Sequence, residues 1–223
     1  MSNTHAEAPR TPAQLVDLTL RTFGDGPLAQ LVQAEARAME TPGSVVTACG
    51  LDLVPAYLQT AGYTRALFEE FGRDEPFKIE GFLIRHARSR LLGEAGVKRN
   101  VFVGPGVLGR APNGDNNVLR QQLRMLNEAH SHPRQDLSLR VLRPEGVQHA
   151  GSSFVDVSVP GQEPYVVLHD TSGDTPLTDP AKIAQYHEIA TTGLGWRAML
   201  DPDSYTQLQL ALNAPGISEQ ARR

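Results

Sequence analysis

The strongest constraint on the fold is a change of hydrophobic period partway along the chain. In the first half, apolar residues recur every three or four positions, the spacing of one helix face. Thr11-Pro12-Ala13-Gln14 opens the first helix: Thr11 caps, Pro12 suits the first helical position and Gln14 closes a capping box. Leu15, Val16, Leu18 and Phe23 supply its apolar stripe, which residues 24–27 break. A second helix is expected over residues 28–39, with Glu35 as an acidic member inside its stripe. Thr60 caps a third carrying Tyr63, Leu67 and Phe71. The longest is expected over residues 76–92, with Ile79, Leu83, Ala87 and Leu91 on one face and Arg85 and Arg88 off it.

Farther along, the pattern turns to alternation. Leu137, Leu139 and Val141, then Val155, Val157 and Val159, read as half-buried strands. Residues 100–103 and 165–168 are short apolar runs of strand length, and residues 44–49 fit a strand or an ordered loop. Helices are expected over residues 116–130, from Pro180, and again from Asp201-Pro202-Asp203 to Leu212, with Gly193 and Gly195 interrupting the stretch between. This order predicts an α+β fold: an N-terminal helical part followed by a small, mostly antiparallel sheet packed with helices. Residues 11–212 read as one domain, residues 1–10 as a disordered N-terminus and residues 213–223 as a frayed tail.

Composition narrows the chemistry. A chain of 223 residues with 40% hydrophobic and 21% charged residues has an ordinary globular make-up. One cysteine, Cys49, excludes an intrachain disulfide and a Cys-rich zinc site; it reads as a buried structural thiol. No apolar run reaches the roughly 18–20 residues of a membrane span, and the N-terminus lacks a signal-peptide core, so a cytoplasmic protein is expected. The net charge of −4 argues against a broad basic nucleic-acid surface. It hides an uneven distribution, because residues 83–124 carry eight basic and two acidic side chains, a local +6.

A set of short pieces resembles a known family. Val54-Pro55-Ala56-Tyr57-Leu58-Gln59-Thr60, followed by Tyr63, Arg65 and Ala66, is similar to a Val-Pro-Gly-Leu-Leu-Gln-Thr motif followed by Tyr-Ala-Arg-Ala. That motif marks the C-terminal effector-type domain of the WhiJ-like, antitoxin-like helix-turn-helix transcriptional regulators of actinobacteria. Glu35, the pair Arg85 and Arg88, Gln122-Leu123, residues 139–144, 151–155, 165–168 and 198–204 resemble its further pieces in order, spanning residues 28–212. The departures are Ala56 and Tyr57, which add bulk, Gly104-Pro105-Gly106 in place of a strand and acidic turn, and His169-Asp170 at the end of the last strand. The resemblance implies an effector-type domain without its own DNA-binding domain.

The candidate ligand-binding residues are Gln59, Tyr63, Arg65, Arg85 and Arg88. The arginines suit an anionic ligand or acidic partner; the plain alternative is ion pairing with Glu35, Glu69 or Glu70. Gln59 and Tyr63 suit a pocket mouth, or simply a backbone bond and core packing. His169 and Asp170 are the candidate catalytic residues if the protein is an enzyme, since histidine titrates near neutral pH. His130 and His132 straddle a helix end and match a helix-dipole contact better than a zinc site. No metal and no cofactor is expected.

Two readings follow. The first is a regulator-like ligand-sensing or protein-interaction domain, taking a small, possibly anionic, molecule or a partner regulatory protein, with no direct nucleic-acid or membrane contact. The alternative is a cofactor-independent enzyme of secondary metabolism, catalysing a cyclisation, isomerisation or dehydration in the same pocket. The oligomeric state stays open.

Overall fold

The computed structural model describes residues 8–131, 136–170 and 173–214. Helix α1 spans Pro12–Phe23 and starts as expected, with the Gln14 amide donating to Thr11 Oγ1 (3.2 Å). Helices α2 (Pro27–Glu40), α3 (Ala61–Glu70) and α4 (Glu75–Glu94) follow, with strand β1 (Val45–Gly50) between α2 and α3. Thr60 caps α3 by accepting from the Tyr63 amide, and Asp74 caps α4 by accepting from the Phe77 amide. Next come β2 (Lys98–Val103), α5 (Asn116–Ser131), β3 (Leu137–Val141), α6 (Pro144–Ala150), β4 (Ser153–Ser158), β5 (Tyr165–Asp170) and β6 (Gly173–Pro176). The described chain ends with α7 (Pro180–Glu188), a π turn (Ile189–Gly193), α8 (Leu194–Arg197) and α9 (Asp201–Leu212).

The fold is α+β, with helices packed on a mixed sheet of order β3-β2-β1-β4-β5-β6. β1, β2 and β3 are parallel, and β1–β4, β4–β5 and β5–β6 are antiparallel, so three of the five pairings are antiparallel. Because side chains alternate across a strand, register assigns each residue to a face. Val46, Ala48, Val101, Leu139, Val155 and Val167 share one face and pack under α2, α3, α4 and α5. Cys49, Phe102, Phe154 and Leu168 share the other, under α6, α7, the π turn and α8. Helix α1 lies outside α2 and α4, burying Leu15 and Leu18 against Val32, Ile84 and Leu91. Each fully buried leucine of these clusters is worth about 1.5–3 kcal/mol. No helix among the described residues is long and apolar enough to cross a membrane.

Several expectations shift. Ile79 is 55% exposed, and α4 instead buries Ile84, Ala87, Arg88, Leu91 and Leu92. The expected stripe stepped by four residues and drifted around the helix, whereas the buried one follows its true 3.6-residue period. Arg88, expected off the apolar face, is therefore an inward residue. Gly193 and Gly195 do not break the helix; the chain winds through the π turn into α8. Gly193 sits close against His149: a Cβ at that position would lie 2.5 Å from His149 Nε2, and the ring would have to shift. Helix α6 and strand β6 were not foreseen. His130 sits in the last turn of α5, and its Nδ1 lies 3.0 Å from the Leu139 carbonyl of β3. The expectations for residues 1–7, for 215–223 and for His132 lie outside the described residues.

Candidate functional site

Of the sequence-selected residues, Gln59, Arg85, Arg88 and His169 share one neighbourhood, linked by the Arg85–Gln59 bond and by the charge of Asp174. Beyond β1 the chain makes a short 3-10 turn, Ala56–Leu58, that places Tyr57 under α4. There Arg88 donates from Nε to Glu35 Oε2 and from Nη2 to Glu35 Oε1, both at 2.7 Å. Tyr57 donates its hydroxyl to Glu35 Oε1 and accepts from Arg88 Nη2 at 3.2 Å. Glu35 is 0% exposed, and Arg88 and Tyr57 4% each. Burial disfavours the charged form of Arg88, but the Glu35 carboxylate outweighs it and holds the guanidinium charged. Burial, and then the Glu35 charge, push the Tyr57 hydroxyl well above its ordinary value, so it stays a donor. Arg88 is thus part of a buried, charge-compensated ion pair, the structural alternative that the sequence allowed. Tyr57, marked only as a departure adding bulk, is its third member.

Arg85, one turn earlier, is different. Its Nη1 donates to the neutral Gln59 carboxamide at 2.7 Å, and its guanidinium lies 4.6 Å over the Phe68 ring. Gln59 is fixed in turn, donating to the Val54 carbonyl (2.7 Å) and accepting from the Thr64 hydroxyl (3.1 Å). Among the described residues no carboxylate forms an ion pair with Arg85. Burial and the neighbouring Arg88 charge lower its pKa to about 10, while Asp174 and Tyr63 work in the opposite direction. A desolvated cation whose nearest counter-charge, Asp174, acts on it from beyond ion-pair distance still gains from an incoming anion.

The third component comes from β5 and β6. His169 Nδ1 lies 2.6 Å from Asp174 Oδ1, with both side chains 32% exposed. Register sets Ser153, His169 and Asp174 in a row across β4, β5 and β6, and the Leu51 amide donates to Ser153 Oγ at 2.9 Å. Burial alone raises the Asp174 carboxyl, but the His169 hydrogen bond and the charges of His169, Arg88 and Arg85 prevail and hold it low. Asp174 therefore links the arginines to His169 electrostatically. Its position in a Gly-Asp-Thr-Pro run reads as a turn, and no sequence signal marked it.

The remaining candidates separate. Tyr63 is fully buried, with its hydroxyl 3.5 Å from the Val54 amide and its pKa raised by burial. Arg65 is exposed on α3 and stands apart from this cluster. Asp170 is the last residue of β5 and pairs through its backbone with Gly173. Cys49 is buried, which pushes its thiol up to about 12 and leaves it unreactive. Ion pairs partly neutralise the +6 segment: Arg88 with Glu35, Arg99 with Asp136 and Arg110 with Glu70 draw on carboxylates outside it, and Arg90 pairs with Glu94 within it.

Comparison with known proteins adds one finding. No curated protein and no solved structure is matched by this chain. A model of a domain of unknown function, DUF5753, matches residues 28–203, which include Glu35, Tyr57, Gln59, Arg85, Arg88, His169 and Asp174. With most of its length matched, the chain belongs to the DUF5753 family.

Proposed function

We propose that this protein is a ligand-sensing domain of the effector type found in WhiJ-like, antitoxin-like regulators, and that it takes a small anionic molecule at Arg85. The observation that carries the reading is the contrast between two arginines one helical turn apart. Arg88 is fully compensated by Glu35 and Tyr57, whereas Arg85 is held by a neutral carboxamide and an aromatic face. Gln59 and Phe68 hold the guanidinium in place, so little ordering entropy is left for the ligand to supply. An occupied site passes its signal to a partner regulatory protein. The test is a thermal-shift screen of inorganic phosphate and small mono- and dicarboxylates on wild type and Arg85→Gln. At least one anion is expected to raise the melting temperature of wild type and to leave the variant unchanged. Equal shifts in both proteins, or none in either, would refute the reading.

A second reading, a cofactor-independent enzyme of secondary metabolism, is favoured by one observation, the 2.6 Å His169–Asp174 contact beside the same arginine. A carboxylate on Nδ1 orients the ring and leaves Nε2 to take a proton from a bound carbon acid. Incubation of the bound anion in D2O tests it. Deuterium incorporation that His169→Ala abolishes supports catalysis; no incorporation in wild type removes it.

A further inference from the structure

A pocket of about 310 Å3 lies on the opposite face of the sheet from Arg85, between α6 and the α7–π turn–α8 segment. Its lining comes from His149, Gln185, Glu188, Thr192, Trp196 and Arg197, with Ile189 and Gly193 below them. The π turn builds it. A wider turn carries Gly193 against the His149 ring and brings Trp196 and Arg197 to the rim, and such turns recur at functional sites. Trp196 is the chain's single tryptophan, and it is 84% exposed. A large side chain that normally gains by burial is here left on the surface beside a cavity.

Arg197 is the second component. It is half-buried, and its Nη1 donates to the Gly193 carbonyl at 3.1 Å, which anchors the guanidinium to the π turn. No ion pair to a described carboxylate uses the rest of its donor fork. Glu188, the pocket's acidic residue, is exposed and hence well solvated, so it discriminates less between ligands than the partly desolvated arginine does. A planar guanidinium fork matches a carboxylate bidentately, and an open indole face matches a flat ring. The volume lies at the lower end of small-molecule sites, enough for one ring or a fused pair.

We infer that this pocket binds a small planar aromatic carboxylate, its ring against Trp196 and its carboxylate on Arg197. The sheet separates it from Arg85, so it is independent of the anion site proposed above.

Protein labelled with 5-fluorotryptophan gives one 19F resonance, that of Trp196. Titration with benzoate is expected to move that resonance saturably. Affinity for the neutral benzamide, and the affinity of Arg197→Gln for benzoate, should each be at least about tenfold weaker, while Arg85→Gln behaves as wild type. If Arg197→Gln fails to fold, saturation-transfer signals of benzoate on Trp196→Leu serve instead, and these are expected to be lost. The inference is overturned by an unmoved resonance, by benzylamine binding as tightly as benzoate, or by wild-type affinity in Arg197→Gln.

Discussion

Replacing Arg88 by methionine tests whether the Glu35–Arg88–Tyr57 cluster is structural. The substitution keeps much of the aliphatic stem but removes three hydrogen bonds: two to Glu35 and one to Tyr57. It leaves a carboxylate that is 0% exposed with only the Tyr57 hydroxyl as partner. Breaking a buried ion pair from one side costs about 3–5 kcal/mol. Against a typical total of about 5–15 kcal/mol that is a large share of the stability. For a domain of this size each kcal/mol moves the melting temperature by about 2–4 °C, so the drop should be about 6–20 °C. Urea unfolding, with melts as a cross-check, measures it. The double variant Glu35→Leu/Arg88→Met removes both charges and should recover most of the loss, because well-packed apolar replacements of buried pairs are often neutral. A loss below about 1 kcal/mol for Arg88→Met, the size expected of a surface pair, would refute the reasoning. So would a double variant no more stable than the single one.

Three further outcomes are expected. Asp174 has a lowered folded pKa, so the stability it carries is complete above the unfolded value of about 3.9 and is lost as pH falls through the folded one. The stability gap between wild type and Asp174→Asn should therefore be flat near neutral pH and close under acid; a gap that widens under acid contradicts this. Gly146→Ala puts a Cβ 2.9 Å from the Arg197 carbonyl, a backbone atom that cannot swing aside, and should cost about 1–3 kcal/mol by urea unfolding. Because Arg88, Arg90, Arg99 and Arg110 are ion-paired, a duplex-DNA titration should show no sequence-selective binding, and salt-sensitive selective binding would overturn that.

Much of this fold is written in local signals. Thr11, Thr60 and Pro12 mark helix starts because capping is a property of adjacent residues. The alternation at 137–141 marks a strand because a half-buried strand needs period two, whereas β4, expected to be half-buried, is covered on both faces. What local pattern does not encode is which strands meet. The parallel β1–β2–β3 half depends on crossovers through α3, α4 and α5, and an apolar run reads alike in a parallel and an antiparallel pair. Strand β6 carries Gly-Asp-Thr-Pro, a turn-like composition, and pairs only because β5 offers an edge. The site divides the same way. Glu35 inside an apolar stripe and Arg85–Arg88 at spacing three were visible as charges that needed partners. Which arginine meets Glu35 depends on helical phase: Arg88 turns inward beside Ala87, and half-buried Arg85 points instead to Gln59 and Phe68. Asp174 reaches His169 across a strand pairing, so only the folded sheet shows it.

The central claim is that Arg85 is the cation without an ion-pair partner among the described residues and Arg88 the ion-paired one. Arginine side-chain Nε–Hε resonances, followed by NMR while the anion selected by thermal shift is titrated in, report on both directly. The account predicts that the Arg85 resonance moves saturably and the Arg88 resonance stays in place. A saturable shift of Arg88 with Arg85 unmoved would contradict it, as would neither resonance responding to an anion that stabilises the protein.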